Sequence, residues 1–119
     1  MTSILLVAHD SPYGSERLYN ALRIALATQE HAEQPVQQKL FLMSDATVAA
    51  LSGQQTPDLS YHIGQMLEIL LAQGVEIAVC RTCAEARGLT PDRLIEGVTI
   101  GTLVDLTRQT LAADKVIHI

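Results

Sequence analysis

The chain has 119 residues, a formal net charge of −5, and 48% apolar against 18% charged residues. That length is a single domain, 1–119, able to bury an ordinary core without staples. Its eight scattered basic residues argue against nucleic acid, which needs clustered Lys and Arg. No apolar run reaches the roughly 18 residues that span a bilayer, so a membrane partner is not expected either.

Aromatic residues are only 3%, so the core must come from Leu, Ile, Val and Ala. A small chain this aliphatic often hides surface against copies of itself, and a homo-oligomer is expected. Met1 to Val7 lacks a basic n-region and a cleavage site. The expected compartment is the cytoplasm, where thiols stay reduced.

Ser3 to Ala8 is a continuous apolar run that suits a strand covered on both faces. His9-Asp10-Ser11-Pro12-Tyr13-Gly14 is a turn-rich loop. A helix is predicted from about Ser15, because Leu18, Leu22, Ala25 and Leu26 share one helical face. Pro35 closes the polar segment behind it. Gln37 to Met43 reads as a second strand. Ser44-Asp45 can cap a short helical stretch, Ala46 to Leu51. Ser52 to Asp58 is the most loop-like part of the chain.

Ile63, Met66, Leu67, Leu70 and Leu71 give the clearest helical face, which Gly74 ends. Val75 to Val79 is a third strand. It runs into Cys80-Arg81-Thr82-Cys83, which holds the only two cysteines of the chain. Arg87-Gly88-Leu89-Thr90-Pro91 stops the helix that follows, and Asp92 to Glu96 is predicted as one helical turn. Val98-Thr99-Ile100 is a short strand. A final helix runs from about Leu103 to Ala112 with Thr102 at its N-cap, and Lys115 to Ile119 is the last strand. This alternation predicts a three-layer α/β/α domain with a five-stranded, mainly parallel sheet.

A thiol at the carboxyl end of a strand, where a helix begins, sits where open α/β proteins place their chemistry. Helix amides and dipole there favour thiolate over thiol. Cys80 is therefore the candidate nucleophile. Arg81 would add a cation if it folds back over the sulfur, and Thr82 would add an amide. Cys83 either resolves a modified Cys80 by forming a disulfide or packs as a core residue. A zinc site would need two further ligands, and His9, His31, His62 and His118 show no metal spacing. Neither a metal nor a cofactor is expected.

The first loop is a second candidate. Asp10, Tyr13, Gly14 and Ser15 precede a helix N-terminus, where they could bind a small anion or simply cap the helix through Ser15. Strand-end geometry puts this loop, Asp45 and Cys80 on one edge of the sheet.

Taken together, these residues resemble the DsrE/DsrF-like family of small α/β proteins. The resemblance rests on Tyr13-Gly14-Ser15-Glu16-Arg17 leading into Asn20-Ala21-Leu22-Arg23, and on Phe41-Leu42-Met43-Ser44-Asp45-Ala46. It continues through Gly74-Val75-Glu76, the Cys80-to-Gly88 segment, Leu94-Ile95-Glu96-Gly97-Val98 and Ala113-Asp114-Lys115-Val116. It implies a parallel five-stranded sheet and assembly into trimers or hexamers. In sulfur-relay members, a cysteine after the third strand accepts sulfane sulfur as a persulfide, taking it from a donor protein and passing it to an acceptor. Cys80, with Gly88 eight positions on, matches that cysteine, and Cys83 has no counterpart in the simplest relay subunits. The resemblance thus implies a sulfurtransferase-like carrier. Two other readings stay open: an oligomeric binding module for a small anionic or nucleotide-like ligand, and a Cys80/Cys83 redox sensor.

Overall fold

The computed structural model describes residues 1–57 and 61–119. The end of the expected Ser52–Asp58 loop therefore lies outside the described residues. The strands are β1 (Thr2–Ala8), β2 (Val36–Leu42), β3 (Glu76–Cys80), β4 (Thr99–Gly101) and β5 (Lys115–His118). The helices are α1 (Arg17–His31), α2 (Ile63–Ala72), α3 (Arg81–Ala86) and α4 (Leu103–Ala112), with short 3-10 segments at Ser44–Ala50 and Pro91–Arg93. The sheet order is β4-β3-β2-β1-β5, and every pairing is parallel.

Side-chain alternation along the strands builds two cores. Leu6, Ala8, Leu40, Leu42, Ile77 and Val79 face the larger one, where they meet Leu18, Leu22 and Ala25 of α1 and Ile63, Leu67 and Leu70 of α2. Leu5, Val7, Phe41, Ala78 and Cys80 face the other, which Met43, Cys83, Leu106 and Ala113 complete. The chain steps from β1 to β4 in one direction and then crosses back to place β5 beside β1. A right-handed connection that reverses direction must run over the opposite face, which is why α4 stands alone on the second one.

Local chemistry sets the ends of these elements. Thr102 and Asp105 form the expected cap of α4 as a reciprocal box. The Thr102 hydroxyl accepts the Asp105 N–H at 3.2 Å, and the Asp105 carboxylate accepts the Thr102 N–H at 2.8 Å. His62 caps α2 by accepting the Gln65 N–H on Nδ1 at 3.0 Å.

Three expectations shift. α1 begins at Arg17, two residues later than predicted, because Gly14 takes a left-handed φ of +98°; the Ser15 hydroxyl then accepts the Arg17 N–H from outside the helix at 3.3 Å. The stretch after β2 is a 3-10 segment beginning at Ser44, which itself adopts φ +51° and makes no side-chain cap. The predicted turn at Asp92–Glu96 contracts to Pro91–Arg93, because Leu51 and Leu94 form an isolated antiparallel bridge.

Candidate functional site

β3 is an interior strand, and Cys80 is its last residue and the N-cap of α3. Alternation aims its side chain at the second core, in register with Gly101 of β4. Cys80 is only 3% exposed. Gly101 itself lies under the Phe41 ring, where a methyl would stand 2.9 Å from it. Cys83, one turn into α3, is half-buried at the border of the same cluster, and both thiols are free.

The expected activation of Cys80 is corrected by this geometry. Burial pushes its thiol above the ordinary value; the neighbouring Cys83 thiol pushes the same way, and the Cys83 and Thr82 amides only partly oppose them. Those amides lie toward the sulfur without forming a cap hydrogen bond, so desolvation wins. Cys80 is thus a protected, protonated thiol near neutral pH.

Arg81 does not fold back over the sulfur. It is exposed and reaches along α3 to Glu85, with Nε 3.5 Å from the carboxylate. The arginine that organises the site is Arg87. Its Nε and one terminal nitrogen donate to Asp45 Oδ1 at 2.9 and 2.8 Å, and the other terminal nitrogen donates to the Cys83 carbonyl at 3.0 Å. Arg87 therefore ties α3 to the 3-10 segment beyond β2. Gly88, with φ +69°, turns the chain out of the helix, and the Leu89 N–H returns to the Ala84 carbonyl at 2.9 Å.

The first-loop residues form their own group on the same edge. Ser15 donates to Asp10 at 3.2 Å, and the Tyr61 hydroxyl donates to the Ser15 carbonyl at 3.2 Å. Tyr61 also stacks on Tyr19 with ring centroids 4.5 Å apart. Tyr13 is exposed, yet partial burial and Tyr61 raise its phenol above the usual range. Asp45 thus joins the cysteine group through Arg87, while Asp10, Tyr13, Gly14 and Ser15 belong with Tyr61. A cavity of about 450 Å³ lies elsewhere, toward the amino end of β3, lined in part by Gly74, Glu76 and Gly97.

The ends of β1 and β5 bring together two residues whose separation in sequence concealed their contact. His9 Nε2 and His118 Nδ1 are 3.0 Å apart, and the ring planes differ by only 18°. The centroid distance of 5.3 Å is the nitrogen separation plus the two ring radii, so the nitrogens meet head-on. That is the geometry of an N–H···N hydrogen bond rather than of stacked rings. Among the described residues, no group of three or more His, Cys, Asp or Glu side chains is placed to hold a metal.

An all-parallel three-layer α/β domain with a dithiol at the end of an interior strand defines the class. The chain belongs to the DsrE/DsrF-like family, whose model matches residues 2–119. It is 52% identical to Protein YchN of Escherichia coli K12 over 117 residues, covering 98% of each chain. It is 36% identical to the uncharacterized protein MK0008 of Methanopyrus kandleri over 114 residues, covering 96% of this chain and 91% of that one. The crystal structure of the E. coli ychN protein superposes with a TM-score of 0.94 at 50% identity, over the whole of both chains. MTH1491 of Methanobacterium thermoautotrophicum, a protein of unknown function, shares the fold at a TM-score of 0.76 and 17% identity, covering 99% of this chain and 98% of that one.

Proposed function

We propose that this protein is a sulfur carrier that holds sulfane sulfur as a persulfide on Cys80, with Cys83 beside it, between a donor and an acceptor protein in a reducing cytoplasm. The observation that carries this reading is the paired thiols at the β3–α3 junction. Both are free, one is buried among apolar side chains, and the other is nearer the surface. A persulfide is readily lost to exchange with other thiols, so a carrier needs a pocket that shields it. Membership of the DsrE/DsrF-like family over residues 2–119 supports the assignment.

The test is incubation with a small persulfide donor followed by intact mass. Wild type is expected to gain one sulfur that dithiothreitol removes, and Cys80→Ser is expected not to retain it on that residue. A wild type that only loses two hydrogens, forming the Cys80–Cys83 disulfide, would show a redox sensor instead. No mass change at all would favour a binding module.

The carrier acts as a homo-oligomer, a trimer or a hexamer. α4 presents Leu103, Val104 and Leu111 outward at 59%, 58% and 82% exposure, and Val116 and Ile117 of the unpaired edge β5 are also exposed. An edge strand and an adjacent apolar helix face are the kind of surface that association covers. No helix among the described residues is long and apolar enough to cross a membrane. Light scattering on the purified protein is expected to give three or six subunits, and Leu111→Asp is expected to shift it toward monomer. A monomeric wild type would overturn the assembly.

A further inference from the structure

We infer that sulfur enters this site at Cys83 and then moves to Cys80, so the second cysteine of the motif is the first acceptor. The inference rests on the persulfide reading above and assigns an order to its two thiols. In the common redox arrangement of Cys-x-x-Cys, the first cysteine is the accessible nucleophile and the second resolves it. Here the polarity is reversed. Cys80 is 3% exposed, while Cys83 is half-buried at the rim.

Two surroundings close Cys80 off. β2 and β4 flank its strand on both sides. Met43 of the β2 end and Leu106 of α4 pack on its cluster. A donor carrying sulfur on a protein or a tripeptide meets Cys83 before any path opens to Cys80.

Both steps balance without an added oxidant. In the first, the Cys83 thiolate attacks the outer sulfur of a donor persulfide. The donor's S–S bond breaks, Cys83 becomes the persulfide, and the donor leaves as a thiol. In the second, the sulfur of Cys80 attacks the outer sulfur on Cys83. The new S–S bond forms on Cys80, the Cys83 S–S bond breaks, and the Cys80 proton passes to Cys83. The sulfane sulfur ends where bulky thiols do not reach it, and Cys83 is restored. Arg87 fixes the relation between the thiols by holding the Cys83 carbonyl while anchored on Asp45.

Timed loading with glutathione persulfide decides this. Aliquots of wild type, Cys80→Ser, Cys83→Ser and Cys83→Ala are alkylated and mapped by peptide mass. The earliest sulfur in wild type is expected on Cys83 and later sulfur on Cys80. Cys80→Ser is expected to load at the wild-type rate and keep the sulfur on Cys83. Both Cys83 variants are expected to load at least about tenfold more slowly, because burial limits thiol exchange. Loading of either folded Cys83 variant at the wild-type rate, or earliest label on Cys80, overturns the order and leaves the carrier reading standing. A wild type that takes no sulfur sinks the carrier reading and the order with it.

Discussion

Phe41→Ala is expected to lower the unfolding free energy by about 3–5 kcal/mol, the usual cost of deleting a buried aromatic ring. Phe41 is the only phenylalanine in the chain and is fully buried. It lies at the centre of the smaller core, with Leu5, Val7, Ala78 and Cys80. α4 is the one long helix on that face, with Met43 and Cys83 at its border, so few side chains are available to collapse into the space left behind. Gly101 has no side chain to offer, and even a methyl there would stand 2.9 Å from the ring. The loss therefore belongs at the upper part of the range for a cavity that stays open. Urea titration should show a lower midpoint at an unchanged slope. A loss below about 1 kcal/mol would mean that the face relaxes freely. The same cavity adjoins Cys80, so its alkylation should accelerate in this variant while that of Cys83 does not.

Much of this architecture is legible in the sequence because it is local. The run at Leu5–Ala8, the helical faces at Leu18–Leu22–Ala25 and Ile63–Leu67–Leu70, and the Thr102 cap each follow from spacing within a few residues. The place of the cysteines at the end of β3 is equally local, since a strand must hand over to a helix there. Contacts set by strand order are not local. Nothing near His9 or His118 says that the last strand lies beside the first, so their hydrogen bond was invisible. The choice between Arg81 and Arg87 is of the same kind. Both lie on or beside a helix of six residues, and only the position of Asp45, 42 residues from Arg87, decides which one turns inward. The state of the Cys80 thiol is not legible in the sequence: helix amides can be counted there, whereas burial by Leu106 and Met43 depends on where α4 and the β2 end pack.

The pH profile of Cys80 reactivity separates a protected thiol from a pre-activated one. In Cys83→Ala, the iodoacetamide rate at Cys80 is expected to rise about tenfold per pH unit through the neutral range. It should still be rising at the ordinary thiol value of 9.0. Only thiolate reacts, and burial, the largest influence on Cys80, remains when Cys83 is removed. The sign of the linked stability follows from the same shift. A folded-state thiol pKa above the unfolded one means that the native chain keeps a proton the unfolded chain releases. The contribution is fully present below the unfolded pKa and is lost as pH rises through the folded one. Stability measured by urea should therefore be flat around neutrality and fall on the alkaline side, and Cys80→Ala should remove that part of the fall. A reactivity plateau near neutral pH would instead identify a thiolate already formed, with the Thr82 and Cys83 amides outweighing burial. Cys80 would then be competent to take sulfur directly, and the protection that distinguishes a store from an exchange site would be gone.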